Sequence, residues 1–338
     1  MTTAASLPIL DLSDFTSGTP AQREAFVTRL RETAHHVGFF YLTGLGIPPA
    51  QVEELVQTAR AFFALPPAQK QAIHMANSPH FRGYTRAGDE ITRGERDWRE
   101  QLDIGAERAL WAGATEPWQR LQGPNQWPSQ LPALRTVALD WQDRLTNVAR
   151  QLLRALALAL GQPEDHFNDA FAGAPMLHTK VIHYPGRAPG ASRQGVGPHK
   201  DSGCLTLLLQ DTEAGLQVLE REGPGEPRWI DVPPLPGTVV INLGEVLEIL
   251  TQGYLRATMH RVISPASGMS RLSVAYFISP RLEVSLDPIA LPPALAAQAR
   301  GVDADPLNPM VPHTGRNLLK GRLRSHPEVA RRFYADIA

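Results

Sequence analysis

Gly195-Val196-Gly197-Pro198-His199-Lys200-Asp201-Ser202-Gly203 is the stretch from which the rest of the chain is read. It precedes an apolar run, Leu205-Thr206-Leu207-Leu208-Leu209. If the stretch is extended, His199 and Asp201 point to one side and Lys200 to the other. An imidazole and a carboxylate on one face form two thirds of a facial ligand set for ferrous iron. A second histidine further along would complete it and leave coordination positions open.

His260, in Ala257-Thr258-Met259-His260-Arg261-Val262, opens another extended segment and is the candidate third ligand. Three such ligands with an open face suit Fe(II) and oxygen better than structural zinc, which prefers a closed tetrahedron. The chain has 11 histidines, so one beside a strand is unremarkable, and Met259 and Val262 equally allow His260 to be a core residue. His35, His36, His74, His80, His166, His313 and His326 fall in helical or loop contexts and read as surface or structural. Arg271-Leu272-Ser273 follows 11 residues after His260. On a strand, Arg271 and Ser273 share a face and form a fork for one carboxylate. Taken alone, Arg271 reads first as an edge arginine paired with a surface acid; its position after His260 favours a ligand.

The 338 residues are 43% hydrophobic, enough for one large core or two modest ones. Lys and Arg number 33 against 34 Asp and Glu, so no global field attracts nucleic acid or an anionic membrane. The single cysteine, Cys204, excludes an internal disulfide framework and a thiolate zinc cluster. With no secretory signal evident and no apolar run long enough to span a bilayer, the expectation is a soluble cytoplasmic protein. Oligomeric state is not set by the sequence.

Helical spacing predicts helices over 20–37, 49–64 and 134–160, the last held by Leu145, Val148, Leu152, Leu156 and Ala159 and ended by Gly161 and Pro163. Gly38 to Gly44, rich in aromatics, predicts a strand, as do 7–12, 81–85 and 97–105. Residues 11–19 and 111–132 read as loops. From Met176 the chain turns to short apolar or alternating runs: 177–184, 204–210, 216–219, 229–232, 238–242, 258–264, 272–279 and 282–284. Such runs, punctuated by Gly and Pro, predict a sandwich or barrel. A charged helix is expected over 318–337.

Jointly, His199-Lys200-Asp201, His260-Arg261-Val262 and Arg271-Leu272-Ser273 resemble the iron and co-substrate motifs of the 2-oxoglutarate/Fe(II) dioxygenase superfamily. The chain is similar in particular to its branch of isopenicillin N synthase, plant flavonoid and gibberellin oxidases and their bacterial relatives. Pro8 to Leu12, Gly38 to Leu42, Phe62 to Pro66 and Arg82-Gly83-Tyr84 resemble that branch's N-terminal region. Asn242-Leu243-Gly244-Glu245 and Gly253-Tyr254 resemble the segment before the second histidine.

The resemblance implies an α+β fold, a distorted double-stranded β-helix (jelly-roll) core wrapped by helices, with a helical N-terminal region. It divides the chain into an N-terminal dioxygenase region, 1–120, and a catalytic core, 121–338. It implies iron on His199, Asp201 and His260, and 2-oxoglutarate on Arg271, Ser273 and Tyr184. Fe(II), 2-oxoglutarate and O2 would then oxidise an unactivated C–H of a small molecule by hydroxylation or desaturation, releasing succinate and CO2. Two departures stand out: Ile182 occupies a place where the family often has Asn, and Glu245 one where Asp is commoner. Arg82, Tyr84, Arg99 and His178 are the candidate substrate residues; Arg99 equally reads as a structural ion pair. Two rival readings follow the same motifs. One is an oxidase of the isopenicillin N synthase type acting without 2-oxoglutarate; the other is a non-catalytic metal-binding jelly-roll sensor.

Overall fold

The chain opens with β1 (Ile9–Asp11), α1 (Leu12–Thr16), α2 (Pro20–His36), β2 (Phe39–Thr43), α3 (Pro49–Phe63) and α4 (Pro67–Gln71). The computed structural model describes residues 7–221, 226–303 and 308–337. A capping box starts α2: the Thr19 hydroxyl accepts the Gln22 N–H at 3.3 Å, and Gln22 Oε1 accepts the Thr19 N–H at 3.0 Å. The stretch 11–19, expected as a loop, contains α1 instead. Asp11 accepts the Ser13 N–H at 2.9 Å and so caps a single helical turn too short to show periodicity.

Next come β3 (Gly83–Thr85), the hairpin strands β4 (Ile91–Thr92) and β5 (Glu95–Arg96), and β6 (Glu100–Gly105). Residues 111–132 include a 3-10 turn, Pro117–Leu121, and lead into α5 (Ala133–Ala159). The second half supplies β7 (Met176–Pro185), β8 (Gln194–His199), β9 (Leu205–Gln210), β10 (Leu216–Glu220), β11 (Arg228–Asp231) and β12 (Val239–Leu243). It continues with α6 (Glu245–Leu250), β13 (His260–Ile263), β14 (Ser270–Ser279), α7 (Pro293–Ala296), α8 (Thr314–Ser325) and α9 (Pro327–Phe333).

Strands β7 to β14 wind between two sheets. One sheet runs β1-β2-β12-β9-β14-β7-β6-β3, the other β11-β10-β13-β8, and this alternation is the winding of a jelly-roll. β1 and β2 extend one edge of the large sheet and β6 and β3 the other, so residues on both sides of position 120 share one sheet. Side chains alternate across it. Leu272, Val274, Tyr276 and Ile278 of β14 join the core beneath α5, to which Leu145, Leu152 and Leu156 contribute. Arg271, Ser273, Ala275 and Phe277 face a cavity between the sheets.

Two expectations are corrected. Residues 282–284 form no strand: Val284 N–H closes a turn on Arg281 O, and the carbonyls of Leu282 and Val284 accept from Gly315 and Thr314 at the start of α8. The helix expected over 318–337 is two, because Pro327 brings no N–H and bends the chain between α8 and α9. No helix among the described residues is long and apolar enough to cross a membrane.

Behind the large sheet, Glu100 receives His183 Nδ1 at 2.8 Å, Lys70 Nζ at 2.8 Å and the Tyr84 hydroxyl at 2.6 Å. Burial alone would raise its pKa, but these three partners outweigh burial and bring it down to about 2. A depressed carboxylate contributes stability above its unfolded value of 4.5 that is lost as pH falls toward 2. We expect Glu100→Gln to flatten the acid limb of stability in that window, read by far-ultraviolet circular dichroism; an unchanged acid midpoint would refute this role.

Candidate active site

His260 lies directly opposite His199 in the β13–β8 pairing, and the ring centroids are 4.2 Å apart. Asp201 follows as β8 ends, and its Oδ1 lies 3.6 Å from His199 Nε2 and 3.7 Å from His260 Nε2. One ligand atom from each residue falls within 4.8 Å of the others. Every remaining polar atom of the three is occupied. His199 Nδ1–H donates to Gly197 O at 2.8 Å and His260 Nδ1–H to Thr258 O at 3.1 Å, which fixes the tautomer that leaves each Nε2 lone pair free. Asp201 Oδ2 accepts Thr206 Oγ1 at 2.5 Å and Asn242 Nδ2 at 2.7 Å. Burial, then His260, hold His199 below its usual pKa, in the neutral form that binds metal. For Asp201 burial works upward, but His260, His199, Thr206 and Asn242 outweigh it and keep the carboxylate ionised. Lys200 turns away from the other two and donates to Glu248 on α6 at 2.9 Å.

Thr206 and Asn242 escape a reading of ligands alone. They face each other across β9 and β12, so one register places both on Asp201. The available signal is a polar side chain inside each of two otherwise apolar buried strands, which needs a buried partner. We expect Asn242→Ala to weaken metal affinity roughly 10–100-fold, as loss of an outer partner does. Calorimetric Mn(II) titration measures it, and unaltered affinity would remove Asn242 from the site.

Arg271 is fully buried. Its Nη1 donates to Ser273 Oγ at 3.0 Å and its Nη2 to Gln210 Oε1 at 2.8 Å, and its guanidinium carbon sits 4.9 Å from the Tyr184 ring centroid. Register explains the cluster: Arg271 pairs with Tyr184, and Ser273 with both Ile182 and Gln210. Gln210 was not legible as a site residue, since it ends an apolar strand at the point where loop polarity is expected. Burial lowers the Arg271 pKa, and Tyr184 partly offsets this. Arg271 Nε has no hydrogen-bond partner and, among the described residues, no carboxylate comes within ion-pair reach. A buried guanidinium with no carboxylate partner has the chemistry to receive one.

The triad and the Arg271 cluster share one cavity of about 630 Å³. Phe39, Val196, Leu216 and Val262 give it an apolar wall. Ile182, the residue at the Asn position, extends that wall, and Glu245 at the start of α6 also lines it. Arg99 and His178 lie on the cavity surface. Arg99 donates to Glu90 at 2.7 Å, so it is both ion-paired and part of the wall. His178 lies 2.8 Å from Asp103, and burial, then Arg322, keep it neutral. Arg82 and Tyr84 are not on that surface. Arg82 is spent on the carbonyls of His80 and Leu121, tying β3 to the 3-10 turn, and Tyr84 on Glu100. Alternation explains this division, because His178, Lys180, Ile182 and Tyr184 of β7 share the cavity face while β3 sits at the sheet's far edge.

A jelly-roll with a histidine–aspartate–histidine facial triad and an unpaired buried arginine in one cavity defines a mononuclear iron oxygenase that takes a dicarboxylate co-substrate. The chain belongs to the 2OG-Fe(II) oxygenase superfamily: that family model matches residues 176–280, and the N-terminal model of non-haem dioxygenases in morphine synthesis matches 7–130. It is 36% identical to the 2-oxoglutarate-dependent dioxygenase frbJ of Dothideomycetidae sp., over 97% of this chain and 92% of that one. It is 33% identical to a homoarginine-6-hydroxylase of Glycine max, over 84% of this chain and 88% of the relative. The structure of a full-length Neurospora crassa protein in complex with alpha-KG and 5-formyluracil superposes with a TM-score of 0.75 at 25% identity, covering 96% of this chain and 97% of that one. A 2OG-Fe(II) oxygenase family protein of Caulobacter crescentus gives 0.76 at 27% identity, covering 95% and 99%. This protein is therefore a 2-oxoglutarate/Fe(II)-dependent dioxygenase acting on a small molecule.

Proposed function

We propose that the enzyme hydroxylates or desaturates an unactivated C–H bond, with Fe(II) on His199, Asp201 and His260 and the distal carboxylate of 2-oxoglutarate on Arg271 and Ser273, over Tyr184. The observation that carries this reading is Arg271, a fully buried cation with an orphaned Nε in the triad's own cavity. The donor set fits the metal, since two neutral imidazoles and one carboxylate leave a face open.

Bound Fe(II), with 2-oxoglutarate and O2, would supply the oxidising power, with succinate and CO2 as the co-products. The chain's residues supply geometry. Backbone carbonyls of Gly197 and Thr258 hold the imidazoles in place, and Thr206 and Asn242 fix which Asp201 oxygen faces the metal. Arg271 stays protonated, so it binds and orients without passing a proton. Phe39, Val196, Leu216 and Val262 exclude water from the inner cavity. Oxygen uptake and succinate release, followed with and without 2-oxoglutarate, test the proposal. Both should require 2-oxoglutarate; oxygen consumption without it, coupled to substrate loss, would point to the oxidase chemistry of isopenicillin N synthase instead.

A further inference from the structure

The formal charge of the whole chain is −1, yet its cavity is lined by nine Lys or Arg against four Asp or Glu. Three further acids, Asp97, Asp103 and Glu248, stand behind the wall, and they ion-pair with Arg99, Lys180 and Lys200. Counted over the lining and these three acids, cations outnumber acids by nine to seven. Fe(II) and the 2-oxoglutarate dianion cancel one another, so loading the site does not remove it.

The excess is not spread evenly. Arg271 is committed to the co-substrate at one end. Elsewhere on the wall, α8 brings Lys320, Arg322 and Arg324 onto the cavity surface. Arg322 is steadied by Asp103 at 3.2 Å. Lys320 Nζ meets Pro309 O and, at 3.1 Å, Asn317 Oδ1, both neutral acceptors; Glu245 on the same lining is within electrostatic range, but no carboxylate among the described residues lies within 4 Å of Lys320. The lining also includes the apolar Leu121, Met176, Phe277 and Leu318, beside the polar His178, Ser279 and Asn317. The helix is firmly placed, because Leu319 packs with Trp118, Leu121 and Tyr334, and a side chain at Gly315 would meet Trp118 at 2.7 Å.

We infer that the substrate is an amphiphilic organic anion, its carboxylate or equivalent acid received by Lys320 with Arg322 and its apolar body held toward the metal by Met176, Phe277 and Leu318. This rests on the reading of Arg271 as the 2-oxoglutarate anchor. Were the acid group instead seated on Arg271, no dicarboxylate co-substrate could bind beside it. An apolar body beside the metal presents C–H bonds, while the charged group supplies the binding energy that fixes which one faces it.

The test uses full-length protein loaded with Mn(II) and 2-oxoglutarate, so that no turnover occurs. Phenylacetate, hydrocinnamate, hexanoate and octanoate are titrated by calorimetry, each against its primary amide and the amine of equal chain length. At least one acid should bind about tenfold tighter than its amide, with the amine weaker still. Lys320→Met should cut that preference by roughly five- to tenfold. A Lys320→Arg change should retain most of it. If no acid outbinds its amide, or an amine binds best, the inference is overturned. Should the preference survive Lys320→Met intact, the assignment to α8 is overturned. Failure of the initial 2-oxoglutarate titration would instead refute the reading of Arg271, so the two failures are distinguishable.

Discussion

His199→Ala is expected to abolish iron loading and turnover together. The substitution removes one of three ligands and leaves Asp201 and His260 3.7 Å apart with no third donor on the open side. Loss of an outer partner costs roughly 10–100-fold in affinity, and a ligand must cost more. The fold should persist, because His199 ends its strand and its ring packs on His260 rather than in either apolar cluster under the sheets. Metal content after reconstitution and succinate release under air are the paired measurements. A variant that carries full iron and turns over normally would sink the assignment of the triad.

Arg271→Met separates co-substrate from metal. Methionine fills similar space without charge, so the pocket keeps its shape while an incoming carboxylate meets no cation. Breaking a buried ion pair by removing one partner costs about 3–5 kcal/mol. That corresponds to roughly two to four orders of magnitude in KM for 2-oxoglutarate. Mn(II) affinity without 2-oxoglutarate should be unaltered, since Arg271 touches no triad residue: its partners are Ser273, Gln210 and Tyr184. An unchanged KM for 2-oxoglutarate would mean that the distal carboxylate sits elsewhere.

Local sequence determined more of the site than of its surroundings. The His-x-Asp spacing, the strand opened by His260 and the Arg-x-Ser alternation nominate five side chains, the family resemblance chooses among their readings, and the structure brings all five into one cavity. Tyr184 was legible only through the family resemblance, and on β7 it shares the cavity face with His178, Lys180 and Ile182. Helices α2, α3 and α5 were legible because each carries enough turns for an apolar stripe to emerge from noise. Short elements were not: α1, α6 and the break at Pro327 depend on one cap or one proline.

Tertiary structure decided what no local pattern could. Thr206, Asn242 and Gln210 matter through strand register, which pairs residues dozens of positions apart. Arg82 and Tyr84 resemble site residues in sequence, yet Arg82 Nη1 and Nη2 donate to the carbonyls of His80 and Leu121, the Tyr84 hydroxyl donates to Glu100, and neither residue lines the cavity. The C-terminal helices were free, in sequence, to cover the site or to meet a neighbour. Packing of Leu319, Val329 and Tyr334 in one apolar cluster with Phe81 and Trp118 seats them at the cavity, and that contact turns three charged positions of α8 into part of its wall. Charge pattern along a helix specifies which residues can meet a ligand; only the burial of its opposite face specifies which ligand site they meet.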